Sequence, residues 1–549
     1  MDSSQNDVTG KEILQHLKSI ESRISQIENY LDLPSVKSEE DIEEETIVPK
    51  KKAETDEELE FRIGQFWFAK LGIFVFLAGW LIGNTLPFEE INQVLIVVIG
   101  FITGIVTIFA GIFFKNKFPY ISGWVLGSGF AILYIASLRM HYFSPTPIVT
   151  DIMPVMAMVY IVSIVLIFSG IKWGSIYITA FGFALGYLSS LIGDNAILIF
   201  LTITSLAILA ANLKIKLNWN GLFNFSMVTS YIVHLIWFIN NPLMGNQLEL
   251  QTGEPINLIF VLVYQIIFTL AYFTDKKYDE YLPTALSILV NTSMGYGLFL
   301  LITILSSPAL GQVYHLVASI IFIGFAILFF TQKSSKMATF YYALTGYGAL
   351  SIAIILQFAK PDFFMWLCWQ SLLVVSTAVW FRSKFIIVAN FFIFLLIFLV
   401  FLVLSGTTSV ISFSFGIVAL LSARILNWKK DQLELKTEQM RNAYLLTALL
   451  IIPYSLYHMV PSGFVAFSWI AVAILYYILS RLLKITKYRY MSLATFMLTV
   501  LYVFVLGITS EETIFKILSF LVLGGALVII SIVYTRNRNK AAKQKETEG

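Results

Sequence analysis

Four histidines, His141, His234, His315 and His458, are the residues of this sequence best suited by type to do chemistry. An imidazole exchanges protons near neutral pH and ligates metal ions. Each of the four lies at, or within about one or two turns of, one end of a long apolar run, by the 1.5 Å rise of a helix. Arg139 and Lys516 fall at the same ends, flanked by Glu89, Glu90, Asp151, Asp194 and Asp362. Together His141, His234, His315, His458 and Arg139 outline a polar site on one face of the molecule, for an ion or for proton exchange. The competing account is simpler: amphipathic rings settle at a membrane–water boundary without any chemical task. No two of these histidines stand at ligand spacing on one helix, so no bound metal, cofactor or catalytic residue is expected.

Carboxylates matter here by where they are missing. No apolar run holds an aspartate or glutamate away from its ends. Proton- and sodium-coupled carriers rely on buried carboxylates that titrate or ligate the ion, and the sequence argues against that class. The polar residues at depth are neutral, Gln265, Asn291, Gln370 and Asn390, and interhelical hydrogen bonds account for them. Cys368, the single cysteine, excludes an intrachain disulfide and lies in an apolar run as a packing residue.

The elements that position these residues follow from composition. The chain has 549 residues, 58% hydrophobic and 13% charged, with a mean hydropathy of +0.79. Soluble globular proteins carry about 25% charged residues, so the solvent for this much apolar surface is lipid. A net charge of +3 gives no reason to expect a nucleic-acid partner. A helix needs about 20 residues to cross a ~30 Å hydrocarbon core. On that ruler residues 66–535 hold eighteen runs, from 66–84 to 515–535. The weakest are 409–426 and the closely joined pair 175–192 and 196–213. Lysine and arginine alternate with these runs: 25 fall in the loops and tail on one side, three (Arg139, Lys360, Lys516) on the other. The basic residues orient a membrane chain, which predicts an even number of spans and cytosolic termini.

Residues 1–65 are different in kind, with 17 acidic and 8 basic residues, a balance of −9. Ile13, Leu17, Ile20, Ile24, Ile27 and Leu31 repeat at spacings of four and three, the seam of a heptad coiled coil, and Pro34 stops it. The predicted organisation is a cytosolic coiled coil at 1–34, a charged disordered linker at 35–65, a transmembrane helical bundle at 66–535 and a basic tail at 536–549. Self-association through residues 11–33 is the expected partner interaction besides the lipid bilayer. Small-xxx-small pairs at Gly79/Gly83, Gly100/Gly104, Gly123/Gly127 and Gly182/Gly186 allow helices to approach closely. Gly295-Tyr296-Gly297 and Gly346-Tyr347-Gly348 sit in mid-run, 51 residues apart, and with Gly127-Ser128-Gly129 and Gly182-Phe183 they hint at a repeated two-helix hairpin.

The entry to the first run, Glu60, Ile63-Gly64, Trp67, Lys70-Leu71-Gly72-Ile73 and Gly79, resembles the opening of a bacterial membrane-protein family known as domain of unknown function 2339. The stretch Gly127-Ser128-Gly129-Phe130-Ala131-Ile132-Leu133-Tyr134 is similar to that family's third-span motif. The resemblance implies a bacterial inner-membrane protein with an N-terminal coiled coil and many spans, and it brings no reaction or substrate. The expectation is an all-α polytopic membrane protein acting as a non-enzymatic scaffold or assembly factor of the cell envelope. The alternative is a transporter or flippase for an apolar or amphipathic envelope molecule. A membrane glycosyltransferase using Glu89 or Glu90 ranks third.

Overall fold

Long apolar stretches punctuated by one or two turn residues leave the backbone one way to satisfy itself in lipid, the helix. The computed structural model describes residues 69–86, 92–143, 146–252, 256–274, 282–306, 309–405, 410–428 and 438–505, with Leu521, Gly524, Gly525 and Val528. The coiled coil, the charged linker, the tail and most of the run 515–535 lie outside the described residues. Among the described residues there are helices and no strand. Seventeen α-helices fall one for one on the first seventeen apolar runs. Fourteen of them are long and apolar enough to cross a membrane. The architecture is that of a multi-pass helical membrane protein.

The first compact unit contains α1 (Ala69–Thr85), α2 (Gln93–Lys117) and α3 (Pro119–Arg139). A glycine stripe on α2 presses it onto α3. A methyl added at Gly100 would lie 2.8 Å from the Ala136 Cβ, and one at Gly111 would lie 2.7 Å from the Leu126 backbone nitrogen. Such contacts let two helix backbones approach as only glycine permits. Helix α1 leans on α3 and touches α2 little.

The second unit holds the remaining helices. They are α4 (Ile152–Lys172), α5 (Ile176–Gly193), α6 (Ala196–Leu217), α7 (Asn220–Phe238) and α8 (Ile256–Phe273). Next come α9 (Leu282–Ser306), α10 (Gly311–Leu328), α11 (Lys336–Gln357), α12 (Asp362–Trp380) and α13 (Lys384–Ser405). The last are α14 (Val410–Trp428), α15 (Glu438–Met459), α16 (Val465–Leu483) and α17 (Thr486–Val505). The two closely joined runs are separate helices: Asp194, in the left-handed region, ends α5, and the Asn195 side chain caps α6 by accepting from the Leu198 amide at 3.2 Å. The run at 409–426 is helical as α14.

Sequential helices pair as hairpins most closely at α4/α5, α10/α11, α14/α15 and α16/α17. At α4/α5, a methyl on Gly170 would come within 2.5 Å of the Thr179 nitrogen, and one on Gly182 within 2.9 Å of the Ile167 nitrogen. Gly186 makes the looser contact with Leu206, 3.3 Å. One apolar core, rich in Phe and Tyr, runs from Ile167 through Phe268 and Phe364 to Met491, and α16 and α17 add a small cluster around Ala473 and Phe496.

Candidate functional site

The residues grouped by sequence occupy separate surroundings. In the first unit Arg139, the last residue of α3, is fully buried. Its guanidinium donates to the Asn84 carbonyl, to the Leu86 carbonyl at 3.1 Å and to Gln93 Oε1 at 3.0 Å. Those carbonyls belong to the C-terminal end of α1, where a helix leaves its last acceptors unmatched. Arg139 therefore caps α1 and fastens it to the start of α2, with positive charge at the negative end of the helix dipole. Asn84 and Gln93 complete this node, and neither stands out in the sequence as more than an ordinary polar residue.

In the second unit the four histidines share no neighbour. His141 lies in the connection before α4, and its Nδ1 is 3.0 Å from the Val149 carbonyl, which closes that loop. His458 is exposed at the end of α15 beside Tyr454 and Tyr457. His234 on α7 has no accessible surface. Its ring stacks on Phe200 at 4.8 Å between centroids and meets the edges of Trp237 and Tyr264. Both its ring nitrogens lack a hydrogen-bond partner. His315 on α10 is equally enclosed; its Nδ1 is 3.1 Å from the Tyr296 hydroxyl, and Phe299 packs edge-on at 5.2 Å. What gathers at the α5–α6 turn is a different set. Asp194 accepts from Asn241 at 2.7 Å and from Asn246 at 2.9 Å. Burial, with Asp194 nearby, pushes the Tyr142 phenol above its ordinary value. Among the described residues no three His, Cys, Asp or Glu side chains group as a metal site.

The polar residues at depth form cross-helix ties. Tyr231 of α7 donates to Asn291 Oδ1 of α9 at 2.6 Å, and Asn291 donates to Thr269 Oγ1 of α8 at 3.2 Å. Tyr342 of α11 donates to the same Thr269 hydroxyl at 2.7 Å. Tyr187 of α5 meets Ser226 and Ser230 of α7 at 2.8 and 2.9 Å. Asn390 of α13 donates to Ser371 of α12 at 2.8 Å and to Tyr444 of α15 at 3.0 Å. The two Gly-Tyr-Gly tripeptides use one plan. The first glycine admits a neighbour from the preceding helix, Gln265 at Gly295 and Ile323 at Gly346. The tyrosine then bonds the following helix, Tyr296 to His315 and Tyr347 to Thr377. Both tripeptides lie within unbroken helix.

No family model, curated protein or solved structure matches the chain. Its own geometry is therefore the ground for a functional reading, and one feature of the first unit stands out. Between α1 and α2 lies an open groove of about 530 Å³, lined by Phe76, Gly79, Trp80, Gly83 and Asn84 with Ile96 and Ile99. Methyl groups added at Gly79 and Gly83 would meet nothing within 4 Å. Asn84 is 3% exposed; its amide donates to the Trp80 carbonyl at 3.0 Å, and its Oδ1 has no donor. Glu89 and Glu90 lie outside the described residues. Gly123 and Gly127, on α3, are half-buried.

Proposed function

We propose that the chain is a non-enzymatic scaffold or assembly factor of the bacterial cell envelope. In this reading it sits in the inner membrane with cytosolic termini and self-associates through residues 11–33, on the plan of the family it resembles. The observation that carries this reading is the closed interior. His234 and His315 have no accessible surface and are wrapped by aromatic side chains. The buried hydroxyls and amides tie helix to helix across α5, α7, α8, α9 and α11. Such ties hold a bundle in one arrangement, at about 0.6 kcal/mol each on average. A scaffold needs rigidity of this kind, whereas a carrier needs a polar path that opens.

The α1–α2 groove favours a second reading, a flippase or transporter for an amphipathic envelope lipid. A space of about 530 Å³ with apolar walls suits the acyl chain of such a lipid. One experiment separates the two. Deletion of residues 11–33 is expected to reduce the purified protein to monomers in light scattering and to abolish its cellular role. If it stays oligomeric, the scaffold reading fails. If instead the deleted protein still exchanges labelled lipid between leaflets of proteoliposomes, the carrier reading replaces it.

A further inference from the structure

The basic ends of α14, α15 and α17 converge in the second unit. Arg441, in the first turn of α15, is 8% exposed. Its guanidinium donates to Asn427 Oδ1 of α14 at 2.6 Å and to Glu438 at 2.9 Å, while its Nε has no partner. Lys487, at the start of α17, reaches the same Glu438 carboxylate at 2.9 Å and also meets the Asn442 side chain. Arg424, near the end of α14, is half-buried and has no hydrogen bond or ion pair among the described residues. Arg424 and Arg441 both lie near enough to the Tyr488 phenol of α17 to act on it electrostatically.

Arg441 and Lys487 thus share the one Glu438 carboxylate, and with Arg424 the three cations exceed it by +2. Two helix N-termini, of α15 and α17, bring their positive dipole ends to the same place. Like charges at this density repel unless an anion joins them. We propose that this locus binds the phosphate of an anionic phospholipid, drawn from the leaflet that the lysine and arginine bias assigns to the cytosol. Arg424 and Arg441 supply planar N–H forks suited to phosphate oxygens, and Lys487 supplies a point charge. A lipid fits better than a soluble anion because α14, long and apolar enough to cross a bilayer, carries Arg424 near its end, where a headgroup would lie. The site is independent of both functional readings.

The test uses the full-length protein in a neutral detergent, melted with added phosphatidylglycerol, phosphatidylcholine or inorganic phosphate. Phosphatidylglycerol is expected to raise the melting temperature by roughly 3 °C or more, and phosphatidylcholine to leave it unchanged. Arg424→Gln is expected to weaken phosphatidylglycerol binding about five-fold, and Arg441→Gln further, each measured against its own lipid-free protein. Lys384→Gln, a basic residue elsewhere, serves as the control. Arg441→Gln loses two native hydrogen bonds, so Arg424→Gln carries the test if that variant does not fold. A phosphatidylglycerol shift that is absent, matched by phosphatidylcholine, or undiminished in Arg424→Gln overturns the proposal. An equal shift from inorganic phosphate overturns the lipid as the ligand.

Discussion

A fully buried arginine brings five N–H donors that must be met. The two terminal nitrogens of Arg139 are met chiefly by backbone carbonyls freed by the end of α1, more than 50 residues earlier in the chain. Replacing it with leucine strands the carbonyls of Asn84 and Leu86 and the amide oxygen of Gln93. Arg139→Leu is expected to cost about 2–4 kcal/mol, read as a lowered melting temperature in detergent. Arg139→Lys restores only part, because a point charge cannot span acceptors on two helices. A melting temperature unchanged by Arg139→Leu would remove the capping account. The sequence marks Arg139 as an ionisable residue at a span end, and that much is legible. Its partners are not, because nothing in the spacing of Asn84, Gln93 and Arg139 shows that α1 folds back on α3. The histidines carry the same lesson: position along a helix is readable, but whether a ring faces water or Phe200 depends on helix rotation.

At the scale of elements, apolar run length fixes where the helices lie, since lipid leaves the backbone no other partner. Turn residues such as Asp194-Asn195 divide runs that hydropathy alone would merge. The glycines are harder to read, because a small-xxx-small pair states that close packing is possible and not which surface uses it. Gly100 and Gly104 are spent inside the chain, whereas Gly79 and Gly83 face open space. Side-chain volume at two other glycines makes the difference measurable. Gly170→Ala drives a methyl into the Thr179 backbone and is expected to destabilise by about 1–3 kcal/mol. Gly348→Ala meets nothing within 4 Å and is expected to be neutral, or to stabilise by up to about 1 kcal/mol through helix propensity. Thermal unfolding of the two variants checks the pair, and equal losses would contradict the hairpin packing described for α4/α5.

For the whole molecule, composition decides the class: 13% charged residues cannot cover so much apolar surface in water. Exposed side chains such as Phe109, Phe168, Ile320 and Val403 are apolar, as helices facing lipid require. The regular alternation of lysine and arginine predicts one orientation, and with it the side on which the lipid site proposed at Arg424, Arg441 and Lys487 would lie. Site-directed labelling tests that orientation most directly. In a Cys368→Ser background, Ser38→Cys and Lys545→Cys place one thiol near each terminus, and an impermeant maleimide is added to intact spheroplasts. Both thiols are expected to stay unlabelled until the membrane is opened. Labelling of one terminus alone in sealed spheroplasts would put the two ends on opposite faces and contradict the account.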